Sequence, residues 1–66
     1  MYDLIIMDLQ GGAMGKNGVH EKHPTAYDAF KALFTWIDKV GKHLPVQYSG
    51  YKYSWRLTDP KGREVI

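Results

Sequence analysis

YDLIIMDLQGG, residues 2–12, opens on an apolar run and closes on a pair of glycines. Tyr2 to Leu9 read as a strand, short, rich in Leu, Ile and Met, and ended by Gly11-Gly12. The apolar residues do not keep to one side. Leu4 and Ile6 point to one face, while Ile5, Met7 and Leu9 point to the other. A strand that is apolar on both faces is a central strand covered on both sides. The reading of the whole chain turns on what supplies the two covers.

Downstream, residues 10–24 carry four glycines and end at Pro24, and they read as a flexible connector. Pro24 steers His23 away from helical geometry, so the next element starts after it. Thr25 with Asp28 three residues later forms a helix-start signal close to a capping box. The helix extends over residues 25–41. Ala26, Phe30, Leu33, Ile37 and Val40 recur at steps of three and four along one stripe. Tyr27 and Phe34 lie at one margin of that stripe and Ala29 and Trp36 at the other, which makes the apolar face wide. Gly41 stops the helix, Lys42 and His43 suit its negative end, and Pro45 prevents its resumption.

The rest of the chain is β, in strands over residues 46–58 and 63–66. Tyr51, Tyr53, Trp55 and Leu57 alternate with Lys52, Ser54, Arg56 and Thr58. Val46 and Tyr48 keep the opposite parity, so a bulge or tight turn falls at Ser49-Gly50. Asp59-Pro60-Lys61-Gly62 carries the residues of a type I turn. With Gly62 in a left-handed bulge, Arg63 falls opposite Asp59 and Val65 opposite Leu57. That register pairs apolar with apolar and is preferred over a plain four-residue loop. The expected fold is a single α+β domain over 1–66. One amphipathic helix packs on one face of a mainly antiparallel sheet of three or four strands, in the order β-α-β-β with a further short strand.

Composition narrows the function. A chain of 66 residues buries only about 60% of the surface its unfolded state exposes, so a partner is a natural source of extra stability. The absence of cysteine removes disulfides and thiolate metal sites and points to the cytoplasm. No apolar run reaches the roughly 20 residues of a membrane span, and the first residues lack the basic start of a signal peptide. The net charge of +2 is mild. It permits an acidic partner without requiring one.

Three kinds of chemistry are tempting and fail on spacing. Gly15-Lys16 suggests a phosphate loop, but Gln10 stands where its first glycine belongs, Asn17 replaces the hydroxyl residue, and the helix starts far downstream. A dinucleotide fingerprint needs a full βαβ unit and an acidic strand end that this chain cannot supply. His20, Glu21, His23 and His43 suggest a metal, yet only Lys22 stands between Glu21 and His23, and Pro24 keeps His23 off a helix. No metal, cofactor or enzymatic activity is expected. A basic strand face is the better competitor. Lys52 and Arg56, with Lys61 and Arg63 at the adjoining turn, are suited to phosphates, and Tyr48, Tyr51, Tyr53 and Trp55 to stacking on bases. The same alternation also describes a half-buried strand with its long polar side chains in water.

The surplus of apolar side chains favours a protein partner. One helix covers one sheet face, and Met14 and Val19 are thin cover for the other. Tyr27, Phe34, Trp36 and Tyr48 exceed what one stripe and one face bury, and Tyr, Trp and Met suit interface cores. The expected function is a non-enzymatic protein-binding module, its partner a second protein or a second copy in a homodimer. Tyr27, Phe34, Trp36, Tyr48, Tyr51, Lys52, Arg56, Lys61 and Arg63 are its candidate contacts, and Met14, Lys16, His20 and His23 the candidates on the loop. In size and plan the chain is similar to small phage and mobile-element proteins that inhibit a host enzyme or defence complex, without a shared motif. A nucleic-acid-binding protein is the alternative, and no membrane partner is expected.

Overall fold

The computed structural model of the chain describes residues 1–9, 17–45 and 52–65. The apolar run forms β1 (Tyr2–Asp8), followed by β2 (Val19–His23), α1 (Ala26–Lys39) and β3 (Tyr53–Thr58). The strands lie in the order β2-β1-β3, and β1 is antiparallel to both neighbours. With α1 packed against it, this open sheet is the expected α+β fold. β1 holds the central place that its two-sided apolar character demands.

β2 lies inside the segment read as a connector and is the main departure from the sequence reading. Val-His-Glu-Lys-His has no apolar alternation because it is an edge strand, with His20, Glu21 and Lys22 exposed. Its extended geometry comes from backbone pairing with β1, which sets Val19 against Ile6, Glu21 against Leu4 and His23 against Tyr2. Such pairing satisfies backbone groups whatever the side chains are, so hydropathy does not reveal it.

Residues opposite each other in an antiparallel ladder share a face. Leu4 opposes Leu57, Ile6 opposes Trp55 and Asp8 opposes Tyr53, so this side of the sheet meets the helix. Leu4, Ile6 and Leu57 are fully buried there with Ala29 and Leu33, and Trp36 and Leu44 complete the core. Each large aliphatic side chain so buried contributes about 1.5–3 kcal/mol.

Thr25 caps α1 by accepting the Asp28 N–H at 3.1 Å. The buried line of the helix is Ala29, Leu33 and Trp36, with Phe30, Ala32, Ile37 and Val40 partly buried beside it. The helix is thus rolled from the expected stripe towards its Ala29/Trp36 margin. Two side-chain properties account for the roll. Ala29 lets the helix approach the sheet closely, and the Trp36 indole N–H finds an acceptor in the Asn17 backbone oxygen at 3.0 Å. Trp36 is therefore a core residue, 9% exposed, and not the surface contact expected of it.

Gly41 opens a short 3-10 turn, Gly41–His43, directly after the helix. It is glycine for want of space. A Cβ there would stand 2.8 Å from the Trp36 ring and 3.0 Å from the Tyr53 ring. Those two rings meet edge to face, their centroids 5.2 Å apart.

The C-terminal turn adopts the bulged register. Gly62 has φ +84°, Thr58 bridges to Glu64, and the Val65 N–H donates to Leu57 O at 2.8 Å. Asp59 organises the turn, one carboxylate oxygen accepting the N–H groups of Lys61 and Arg63 at 2.9 Å each. Beyond the turn, residues 63–65 of the expected strand 63–66 make a single bridge, at Glu64, and residue 66 lies outside the described residues. The expected strand segment 46–51 and its bend at Ser49-Gly50 lie outside the described residues.

Candidate functional site

The wide apolar arc of α1 does not all turn inward. At about 100° per residue, Tyr27 and Phe34 fall roughly 100–120° round the helix from Leu33. They are 72% and 61% exposed. Phe30 lies between them and the core, partly buried, its ring stacked with Phe34 at a centroid distance of 6.3 Å and 16° between planes. The three rings form an aromatic ridge bordered by Lys31, Thr35, Asp38 and Lys39, and these residues line one shallow groove. A second groove, adjoining the first at Lys31, Thr35 and Lys39, runs along β2 past Glu21 and His23 and does not include the three rings.

Asp38 forms an ion pair with Lys42 at 2.9 Å, one helical turn on. The hydrogen bond from Lys42, reinforced by its positive charge, holds the Asp38 carboxyl below its ordinary range. Such an exposed pair is worth little in stability. It does place a defined negative charge at one end of the ridge, while Lys31 stands near the other.

The remaining candidates divide between two other places. On the sheet face away from the helix, Ile5 and Met7 are only partly exposed. They are flanked by His20 on β2 and by Ser54 and Arg56 on β3. Lys52 continues the β3 side, where its backbone oxygen accepts the Leu9 N–H at 3.0 Å. The charges here are largely matched: His20 and Lys22 reach Asp3 at 3.1 and 3.6 Å, and Arg56 reaches Glu64 at 3.1 Å. Tyr53 and Trp55 have the opposite parity on β3, so its cations and aromatic rings do not share a face. At the turn, Lys61 is exposed, and Arg63 pairs with Asp59 at 3.2 Å. The Arg63 backbone N–H, together with that of Lys61, holds the Asp59 carboxyl below its ordinary range.

The loop candidates separate in the same way. His20 and His23, three apart on β2, point to opposite faces. His23 bonds Glu21 at 3.0 Å. Among the described residues no group of three His, Asp or Glu side chains is placed to hold a metal ion. No described helix is long and apolar enough to cross a membrane. Met14, Lys16, Tyr48 and Tyr51 lie outside the described residues. Val19 does not fold over the second face of β1; it packs against the core on the helix side.

Two structural residues escaped the sequence reading. Asp8 is fully buried at the end of β1, and the Asn17 amide donates to it at 3.1 Å. Asn17 thus ties β1 through its side chain and α1 through its backbone oxygen. The parity of Asp8 with Leu4 and Ile6 was the available signal, because a buried acid requires partners. Comparison with protein-family models, curated proteins and solved structures finds no match for this chain.

Proposed function

We propose that the chain is a non-enzymatic protein-binding module that acts by occupying a partner's surface, with Tyr27, Phe30 and Phe34 as its anchor. The observation that carries this reading is the exposure of Tyr27 and Phe34, 72% and 61%, on a helix whose other flanks are either buried or polar. Aromatic side chains offer large contact area at small entropic cost, and clusters of them dominate binding energy. Exposure in a contiguous ridge, rather than singly, is what separates a contact surface from ordinary surface apolarity. Two forms of the reading suit so small a chain: an inhibitor of the phage or mobile-element kind, covering a site on a larger enzyme or complex, and a module whose partner is a second copy of itself. Nucleic-acid binding is the weaker reading, because Arg56, Lys22 and Arg63 each have a carboxylate within 4 Å and are only partly available to phosphates.

The test places a photo-crosslinking phenylalanine analogue at position 27 in the native cell and identifies the adduct by mass spectrometry. A single defined protein adduct, diminished at least tenfold by Phe34→Ser with the circular dichroism unchanged, supports the reading. Binding that is indifferent to Tyr27 and Phe34, or a dominant nucleic-acid adduct with a steep salt dependence, overturns it.

A further inference from the structure

Four residues of α1 stand in one outward row: Tyr27, Lys31, Phe34 and Asp38, at steps of four, three and four. That spacing is the seam of a helix pair. All four are exposed, and Tyr27, Lys31, Phe34 and Asp38 all line the same groove. The order of the row is self-complementary. Two such helices laid antiparallel, with a two-fold axis between positions 32 and 33, set Tyr27 opposite Asp38 of the second copy and Lys31 opposite its Phe34. Both pairs recur on the other side of the axis, as an isologous contact requires.

The contacts in this register are chemically matched. The Tyr27 hydroxyl is a donor and the Asp38 carboxylate an acceptor. Lys31 lays its aliphatic stem across the facing Phe34 ring, a cation–π and apolar contact together. Helical side chains lean towards their own N-terminus, so the Lys31 ammonium is carried towards position 27 and hence to the facing Asp38. Among the described residues Lys31 has no carboxylate partner of its own. Asp38 keeps spare acceptor capacity beside Lys42, which bonds only one of its oxygens at 2.9 Å. A parallel pair would instead set Lys31 against Lys31 and Asp38 against Asp38.

We infer that the partner of the aromatic ridge is a second copy of this chain, docked antiparallel through α1 with Phe34 packed beneath Lys31. This rests on the reading of the ridge as a protein-contact surface and names its occupant. One 14-residue helix cannot supply the area of a standard interface, about 800 Å² per partner, so the dimer is a weak one in the micromolar range.

Sedimentation equilibrium over a wide concentration range tests it with charge reversals at exposed positions. The wild-type chain is expected to dimerise and Phe34→Ser to remain monomeric. Lys31→Glu alone and Asp38→Lys alone are each expected to weaken dimerisation at least tenfold, since each sets like charges face to face. An equimolar mixture of those two variants is expected to restore the dimer, because both cross-pairs are then opposite in sign. A wild-type chain that stays monomeric overturns the inference. A dimer indifferent to Phe34→Ser and to the reversals, with no recovery on mixing, also overturns it. A monomeric wild-type chain whose position-27 analogue crosslinks to a different protein defeats this inference and leaves the binding module standing. Loss of both self-association and every ridge-dependent adduct defeats the two together.

Discussion

The indole N–H of Trp36 donates to the backbone oxygen of Asn17 across 3.0 Å, while the Asn17 side chain donates to Asp8. One short segment before β2 therefore fastens the helix to the end of the central strand. Trp36→Phe keeps most of the packing and leaves a part-buried carbonyl without its donor. The expected loss is about 1–2 kcal/mol, read as a lower urea midpoint at unchanged slope. Trp36→Ala, which also empties the site, is expected to lose about 3–5 kcal/mol. Equal losses for the two variants would show that the hydrogen bond contributes nothing.

Gly41 supplies the second prediction. A Cβ at that position meets the Trp36 ring at 2.8 Å, too close for both to stay where they are. Gly41→Ala is expected to destabilise by about 1–3 kcal/mol through overpacking. In a domain of this size each kcal/mol is worth roughly 4–8 °C in thermal midpoint. An unchanged midpoint would mean that the two rings yield without cost.

Leu33 and Phe34 are neighbours in sequence and should behave oppositely. Leu33 is 1% exposed and Phe34 61%. Leu33→Ala is expected to lose about 2–5 kcal/mol. Phe34→Ser should lose no more than about 1 kcal/mol, mainly its stacking on Phe30. Chemical denaturation of the two variants, with wild type alongside, measures the contrast at concentrations where the chain is monomeric.

The C-terminal turn gives a pH dependence. The Asp59 carboxyl is held below the ordinary carboxylate range by the Arg63 backbone N–H, with help from that of Lys61. A carboxyl whose folded pKa is depressed contributes stability that is complete above the unfolded value and disappears as pH falls through the folded value. Asp59→Asn should therefore be less stable than wild type near neutrality, and the gap should close as pH falls below about 4. Thermal unfolding across the acid limb measures it. A gap that does not change with pH would assign the effect of the substitution to turn geometry and not to charge.

What the sequence discloses here follows from where each instruction resides. Leu4 and Ile6, the Thr25 cap and the Gly62 bulge are written in side-chain type and short spacing, and all three were legible. The rotation of α1 was not, because an apolar arc this wide admits several inward faces. Trp36 and Phe34 were therefore both read as surplus, and only Phe34 lies outside. The anchor of Trp36 was illegible for a different reason, since its acceptor is a backbone oxygen, a group every residue possesses. Of the candidate cations Arg56, Lys61 and Arg63 are exposed and Lys52 is half-buried, and the pairing of Arg56 with Glu64 and of Arg63 with Asp59 depends on strand and turn register.

The polarity that concealed β2 also bears on how the chain behaves in a crowd. A sheet edge is a template to which other strands can add, and long apolar edges seed aggregation. β2 meets that hazard with His20, Glu21 and Lys22 in succession, all exposed, so a strand arriving beside it would have to accommodate both signs of charge. The chain can thus carry an exposed aromatic ridge on its helix while the β2 edge of its sheet resists strand addition. A dimer of the inferred kind, closed by its two-fold axis, is then expected to form small assemblies and not fibres.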